Sequence, residues 1–352
     1  MASAAQRNIR SISYAKYGYF FILPFFLVYG FFQVWPLINT FILSLYGNGT
    51  TPGSSVDDFV GLENFKNLLF GTSGLTNDMG AEFRAVSAQE QFFKYLLNTF
   101  IVWGGNFIPQ IALSLALAVW FTDAKLKIKG KGFFKIVMYM PNIITAASIA
   151  ALFYSLFAES KYGAVNNLLL SAHIIDEPIQ FVTGKWESRV MIMFIQCWMW
   201  FGNTMIMLMS GIMGLNPSLF EAANIDGATS GQVFRKITLP LLRPIMLYTL
   251  ITSMIGGLQM FDIPYLYKKG TTVGEHTKTI AVYIYQQFRD VIPANYGWSG
   301  AASVILFFIT VALGCIAFAM NRDKDEAAKK KERKAHAKAM KAKQRGLGGM
   351  EI

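Results

Sequence analysis

The chain has 352 residues, of which 53% are hydrophobic and only 15% are charged, against roughly 25% charged residues in a soluble domain. This composition excludes an intrinsically disordered protein and disfavours a soluble enzyme. The formal net charge of +11 is compatible with nucleic acid binding, with an anionic membrane surface, or with loops that face the cytoplasm. The positions of the basic residues along the chain are therefore needed to distinguish these three explanations of the positive charge.

Six apolar segments reach the length of about 20 residues that a helix needs to cross a bilayer. They run from Tyr17 to Tyr46, Phe92 to Phe121, Phe133 to Phe157, Val190 to Leu215, Ile245 to Tyr267 and Gly300 to Met320. The first is nearly twice as long as the apolar core of a signal peptide, so we expect it to remain as a span. The sequence thus predicts an all-α polytopic membrane protein whose six spans form one domain, residues 17–320.

Basic residues favour one orientation of these spans. With residues 1–16 placed in the cytoplasm, 22 of the 32 basic residues lie on that side, while the outer loops hold nine together with twelve acidic residues. The five lysines between Lys125 and Lys135 are the strongest single anchor. We therefore predict an N-in, C-in topology, with residues 321–352 as a basic cytoplasmic tail.

The loops at the two membrane faces differ in character. The first outer loop, residues 47–91, is rich in Gly, Ser, Thr and Asp and is predicted to form a small exposed cap with turns. The tail contains eleven basic residues but no apolar stripe and no aromatic interleaving, which indicates attraction to anionic lipid headgroups and not to nucleic acid.

The loop between the fourth and fifth spans, residues 215–244, carries the clearest local signals. Asn216 or Ser218 can cap a helix that starts near Pro217, since proline suits a first helical turn. Ser218-x-x-Glu221 also fits a capping box.

A turn and a second helix are predicted to follow in the same loop. Asp226-Gly227 is a stop-and-turn signal, because glycine adopts positive φ without strain, and Pro240 is expected to end the second helix. A short helix, a glycine turn and another helix would form a rigid surface on which a cytoplasmic partner can dock.

Here the sequence resembles a known family. The pattern Glu221-Ala222-Ala223-x-x-Asp226-Gly227-Ala228, followed by Phe234 and Ile237-x-Leu239-Pro240-x-x-x-Pro244, is similar to the EAA signature of ABC importer permeases. Val60-Gly61-Leu62-Glu63-Asn64-Phe65 and Leu258-Gln259-Met260-Phe261-Asp262 are similar to the carbohydrate-uptake, maltose/oligosaccharide-type branch of that family. The resemblance covers residues 17–320, and the enlarged first outer loop and the basic tail depart from it.

The resemblance implies both a mechanism and partners. In that family the EAA loop forms a coupling helix that docks in a groove on the ATP-hydrolysing subunit, which implies this role for Glu221, Ala222, Ala223, Asp226 and Gly227. A second permease forming a heterodimer, two ATP-binding subunits, an extracellular solute-binding protein and a sugar substrate are implied as well, in a prokaryotic cell membrane. On the local signals alone, a merely well-capped loop helix remains the alternative.

Two stripes in the fourth and fifth spans are candidates for a substrate path. An amide suits the hydroxyl groups of a sugar, and an aromatic ring suits its apolar face, while helix packing through small residues and interhelical amide bonds is the alternative. The resemblance favours a substrate path over helix packing, because in sugar-transporting relatives the corresponding parts of these two spans line the substrate site. The members are Gln196, Trp200 and Asn203 in the fourth span and Ser253, Gly257, Gln259 and Met260 in the fifth.

Motifs for chemistry are missing from the sequence. It contains no phosphate-binding loop, zinc-binding H-E-x-x-H or nucleophile elbow, and Cys197 and Cys315 lie within apolar runs. We therefore expect no catalytic residue, metal or cofactor, and ATP hydrolysis on a partner chain. The alternative, an ion-coupled secondary carrier of a small polar solute, would be expected to have ionisable residues at bilayer depth, where this chain has only Lys94 and Asp262 near outer ends.

Overall fold

A computed structural model describes residues 15–47, 58–71, 79–123, 126, 128–267, 274–290 and 295–320. Within these ranges the chain is helical and has no β-strand, only an isolated bridge between Tyr46 and Phe59. The predicted basic tail, residues 1–14 of the predicted N-terminal segment, and Lys125 and Lys127 of the predicted anchor lie outside the described residues.

The described α-helices vary from single turns to 44 residues. They are α1 (Ala15–Tyr29), α2 (Trp35–Leu43), α3 (Glu63–Phe70), α4 (Met79–Thr122), α5 (Lys131–Tyr139), α6 (Ala146–Leu156), α7 (Ala164–Ser171), α8 (Lys185–Met213), α9 (Pro217–Ile225), α10 (Ser230–Val233), α11 (Leu239–Leu241), α12 (Arg243–Leu258), α13 (Asp262–Leu266), α14 (Ile280–Arg289) and α15 (Tyr296–Met320). Gly30–Val34 and Phe234–Thr238 are π-helical, and Met140–Asn142 forms a 3₁₀ turn.

Five helical stretches within the described residues are long and apolar enough to cross a membrane, and a bent pair would make a sixth. The five are Tyr17–Leu43, Gln89–Thr122, Lys185–Met213, Arg243–Leu266 and Tyr296–Ala319, which correspond to the first, second, fourth, fifth and sixth predicted segments.

The third predicted segment, residues 133–157, is not one straight helix. Lys131–Asn142 and Ala146–Leu156 meet at a bend of 91°. Pro141 lies in the 3₁₀ turn before the bend, where its missing N–H interrupts the helical hydrogen bonds. Thr145 then has extended backbone angles and starts α6 as its N-cap, accepting from the Ser148 N–H.

The chain divides into two compact units, Met1–Gln89 with Gln287–Ile305 and Glu90–Gln286 with Leu306–Ile352. In the first unit, Asn64 Nδ2 donates to the carbonyl oxygens of Ser44 at 2.9 Å and Tyr46 at 2.8 Å. These bonds tie α3 to the end of α2. Asn64, part of the family-like pattern before the second span, therefore has a structural role here.

In the second unit, the core joins helices that are far apart in sequence. One cluster of buried side chains connects α4, α6, α8 and α13, and a second connects α4 to the later part of α8. The first includes Val102, Ile149, Phe153, Ile192, Ile195 and Ile263, and the second Ala118, Phe121, Met205, Leu208 and Met209. Close approach of α5 to α8 requires Gly202, because a Cβ there would lie 2.0 Å from the Met138 carbonyl oxygen.

Candidate functional site

Residues 215–244, the loop predicted to couple, begin with the helix that the sequence indicates. Asn216 is the N-cap of α9, and its Oδ1 accepts from the Ser218 N–H at 3.1 Å. The capping box expected at Ser218 and Glu221 is wrong, because Ser218 already lies inside the first helical turn. A capping box does form at the start of α10, between Thr229 and Gln232.

The turn after α9 confirms the glycine signal. Gly227 has a φ of +72°, and the Ala228 N–H donates to the Ala223 carbonyl at 2.9 Å while the Gly227 N–H donates to the Asn224 carbonyl at 3.2 Å. This is a Schellman motif, which satisfies carbonyl groups at a helix end. No heavy atom lies within 4 Å of the position that a Cβ of residue 227 would take, so the requirement for glycine comes from the backbone alone.

The second helix of the loop does not end before Pro240, contrary to the prediction. α10 passes into the π-helical turn Phe234–Thr238, and Pro240 lies in the first turn of α11. Proline is tolerated there because its missing N–H needs no partner. The helical path therefore continues, with a short interruption at Leu242, into α12.

Of the five residues predicted to couple, only Ala223 is buried; Glu221, Ala222, Asp226 and Gly227 are exposed. Ile225, at the end of α9 directly before the turn, is 86% exposed. A single exposed apolar side chain is common on protein surfaces, so this exposure alone assigns Ile225 no role.

The predicted stripe of α8 has two environments. Gln196 is buried within the chain, whereas Trp200 is 45% exposed and Asn203 is also exposed. One end of the stripe therefore faces other helices of this chain, and the other end presents an indole and an amide outward.

The predicted stripe of the fifth span packs against Trp103 of α4, a residue that the sequence analysis did not single out. Trp103 Nε1 of α4 donates to Ser253 Oγ at 3.2 Å, and a Cβ at Gly257 would lie 2.1 Å from Cδ1 of the same indole. Gln259 is exposed, while Met260 is buried. Gly257 thus serves close packing between α12 and α4, as the packing alternative expected of the glycines.

Helix α4 contacts the fifth-span stripe through Trp103 and contacts α8 at residues beside its stripe. Besides Trp103, it contributes Gln110, whose Nε2 donates to Thr204 Oγ1 at 2.8 Å, and Ser114, whose Oγ donates to the Phe201 carbonyl at 2.8 Å. Residues 103, 110 and 114 follow one helical face, a signal that was present in the sequence.

A further polar group joins α4, α8 and the segment before α14. Asn98 Nδ2 donates to the carbonyl oxygens of His276 at 2.6 Å and Lys278 at 3.0 Å. Arg189 Nε donates to the same His276 carbonyl at 3.0 Å, and its Nη2 donates to Asn98 Oδ1. We call Asn98, Arg189, Glu275, His276 and Lys278 the polar clamp.

The carboxylate of the polar clamp is held by cations and a phenol. Glu275 accepts from Lys94 Nζ at 2.8 Å and from Tyr95 OH at 2.6 Å, and Lys278 Nζ lies 3.3 Å away. Burial alone would raise the pKa of Glu275, but these hydrogen bonds and the positive charge of the lysines outweigh it and lower the pKa to about 2. Lys94, to which the sequence analysis assigned no role, forms an ion pair with Glu275.

Comparison with known proteins identifies the family. A family model for the inner membrane component of binding-protein-dependent transport systems matches residues 99–322, well over half of the chain. The chain belongs to this family.

As a permease component, the chain is a transport subunit of an ABC importer and not an enzyme, and ATP hydrolysis takes place on a partner ATPase. The permease lies in the inner membrane. Membership of this family excludes the ion-coupled secondary carrier.

Similar permeases cover almost the whole chain. The lactose transport system permease protein LacF of Rhizobium radiobacter is 29% identical over 92% of this chain and 100% of its own length. The arabinooligosaccharides transport system permease protein AraP of Bacillus subtilis (strain 168) is 27% identical over 91% of this chain and 94% of its own length. A chain in the crystal structure of a bacterial ABC transporter involved in the import of the acidic polysaccharide alginate shares the fold, with a TM-score of 0.69 and 23% identity over 87% of this chain and 95% of that chain.

Proposed function

We propose that this permease forms half of the translocation path of a sugar importer, with an oligosaccharide as substrate. The observation that carries the proposal is the match to lactose and arabinooligosaccharide permeases over more than nine-tenths of both chains. A second permease forms the other half as a heterodimer, two ATP-binding subunits drive the cycle, and an extracellular solute-binding protein delivers the sugar. Uptake of radiolabelled lactose and arabinotriose by cells with and without the gene tests the substrate class, and uptake of neither sugar would contradict it.

The proposed topology has six spans with both termini in the cytoplasm. The bent pair α5–α6 then counts as the third span, the loop of residues 215–244 faces the cytoplasm, and residues 1–16 and 321–352 form the cytoplasmic ends. Residues 47–91 form the first outer loop. The excess of basic residues on the cytoplasmic side supports this orientation, and the basic tail is proposed to contact anionic lipid headgroups.

The loop of residues 215–244 is proposed to couple ATP hydrolysis to transport. Buried Ala223 holds α9 against its own chain, while the exposed Glu221, Ala222, Asp226 and Gly227 remain available to the ATPase. The Schellman turn and the capped helices make this loop stiff, so a displacement at α9 is passed to α8 and α12 at its two ends. Rocking of these helices then alternates access to the path between the two sides.

Variants of this loop test the coupling role. Glu221→Lys combined with Gly227→Pro should abolish sugar uptake and reduce the amount of ATPase that co-purifies in mild detergent. Glu177→Lys, a charge reversal at another exposed glutamate, is the control and should change neither. Normal uptake and undiminished co-purification of the loop variant would refute the coupling role.

The substrate path is proposed to run along α8 and the fifth span. Trp200, Asn203 and Gln259 are its exposed members and Ser253 is half-buried, while Gln196, Gly257 and Met260 are buried in the packing of the helices. Exposure of Trp200 and Asn203 supports contact with a solute, because a lipid-facing amide would be costly. Asn203→Leu should lower uptake while the complex still assembles. Asn167→Leu, at an exposed amide in α7, is the control, and equal uptake by the two variants would argue against the path.

A further inference from the structure

The last part of the fifth span is broken and carries an aromatic cluster. α12 ends at Leu258 and α13 begins at Asp262, so residues 259–261 are not helical. The rings of Phe261 and Tyr265 stack with centroids 4.9 Å apart, and Tyr285 of α14 meets them edge-on at 4.9 and 5.3 Å. We call Phe261, Tyr265 and Tyr285 the aromatic triad.

Hydrogen bonds fix the backbone around the triad. Thr279 Oγ1 donates to the Met260 carbonyl at 2.7 Å, which satisfies a carbonyl group released by the helix break. Thr99 Oγ1 accepts from the Ile280 N–H at 2.8 Å, and the polar clamp holds residues 275–278. Non-helical backbone at the depth of a membrane is tolerated where it is buried in protein or lines a wet cavity, and broken spans are a recurring way to build solute sites.

Packing of α14 does not depend on the triad. Ile280, Val282 and Tyr283 are buried, and the Tyr283 ring lies 5.1 Å from that of Tyr95. Tyr285 lies off this buried face and is only half-buried. The helix is therefore secured by other side chains, and the triad is left with partly exposed rings.

The side chains of this region are of the types that bind a sugar. Phe261 and Tyr265 are half-buried like Tyr285, and two nearby polar residues, Gln259 two positions before Phe261 and Asp262 directly after it, are exposed. Solute sites combine apolar and aromatic walls with a few polar groups that fix orientation. A pyranose ring has one apolar face for an aromatic ring and a rim of hydroxyl groups for an amide and a carboxylate.

We propose that the aromatic triad, with Gln259 and Asp262, is a sugar-binding site at the outer end of the fifth span. It receives the oligosaccharide when the solute-binding protein releases it and holds it until the inner part of the path opens. This site rests on the sugar-importer function proposed above and adds residues of α13 and α14 to the path.

The test uses the complete importer with its solute-binding protein, reconstituted in proteoliposomes. Radiolabelled lactose, arabinotriose and maltotriose accumulated in the lumen are measured together with the phosphate released by the ATPase. Phe261→Leu and Tyr285→Leu remove a ring but keep apolar volume, whereas Phe261→Tyr and Tyr285→Phe keep the ring. Phe181→Leu is the matched control, because Phe181 forms an aromatic pair with Phe157 at 5.1 Å outside the triad.

A sugar that is not held escapes to the outside while ATP is still consumed. The leucine variants should therefore lower the sugar transported per ATP about tenfold with ATPase stimulation retained, whereas the ring-keeping variants and Phe181→Leu keep the wild-type ratio. An unchanged ratio in both leucine variants would overturn the site, and so would loss of the second permease from the purified complex, which would make the triad a subunit interface. Failure of the wild-type importer to accumulate any of the three sugars would instead contradict the sugar-importer function on which the site rests.

Discussion

Replacing Gly257 with alanine should destabilise the second compact unit, because the space for a Cβ is already filled. The new carbon would lie 2.1 Å from Cδ1 and 2.6 Å from Cγ of Trp103. The indole cannot move aside freely, since Nε1 is bonded to Ser253 Oγ and the ring stacks on Phe107 with centroids 5.7 Å apart. Displacing it sacrifices both contacts.

The expected loss of stability follows from these contacts. Forcing one carbon into a packed site costs about 1–3 kcal/mol, and a lost side-chain hydrogen bond between membrane helices costs about 0.6 kcal/mol. The higher helix propensity of alanine returns roughly 0.8–1 kcal/mol. The net destabilisation of about 0.6–2.8 kcal/mol corresponds to a fall of roughly 1–11 °C in the midpoint of thermal unfolding.

The chain offers a matched control for this substitution. Gly256 precedes Gly257 in α12 but has no heavy atom within 4 Å of its Cβ position, so Gly256→Ala should leave the midpoint unchanged or raise it slightly. The assay heats the purified complex in detergent and measures the monodisperse fraction by size-exclusion chromatography. Trp103→Leu in the Gly257→Ala background should recover part of the lost thermal midpoint, because it removes the indole that overlaps the new Cβ. Equal midpoints for Gly256→Ala and Gly257→Ala would refute the reasoning.

Three further substitutions have defined outcomes. Gly202→Ala should lower the same thermal midpoint by more than Gly257→Ala, because its Cβ would meet the backbone of Met138, which cannot rotate away as a side chain can. Gly227→Asn should retain more sugar uptake than Gly227→Ala, since asparagine tolerates positive φ better; equal uptake would argue against a backbone cause. Glu275→Gln should lower the thermal midpoint at pH 7, by an amount that reflects at most about 1 kcal/mol because the ion pair is half-exposed. The depressed pKa of Glu275 contributes stability above pH 4.5 that is lost as the pH falls toward 2, so the two proteins should converge over that range, and a difference that persists at pH 2 would contradict this assignment.

Features decided by neighbouring residues could be predicted from the sequence. Pro217 in a first turn and glycine after Asp226 act within one helical turn of their own positions, and the structure has the helix and the left-handed turn that they indicate. The capping box was misplaced by the same local reasoning, because Asn216 and Ser218 are both good caps and only the backbone angles choose between them.

Features decided by distant residues could not be predicted in this way. The contact between Trp103 and Gly257 exists only because α4 and α12 pack side by side. The hydrogen bonds of Asn98 likewise require residues 276–278, which are distant in the sequence. Pro141 interrupts the helix by a local effect, but the 91° angle between α5 and α6 depends on how these helices pack on other helices. The positions of the spans could therefore be predicted from the sequence, whereas the contacts between residues of different spans could not.

The polar clamp also sets an order of events during synthesis of the protein. Asn98 and Lys278 are 180 residues apart in the chain, and at 5–20 residues per second the ribosome needs roughly 10–40 s to make the intervening segment. Until residues 276–278 are made, Asn98 Nδ2 lacks the two carbonyl groups that accept its hydrogen bonds. The connection between α4 and this segment can therefore form only after more than three-quarters of the chain has been synthesised.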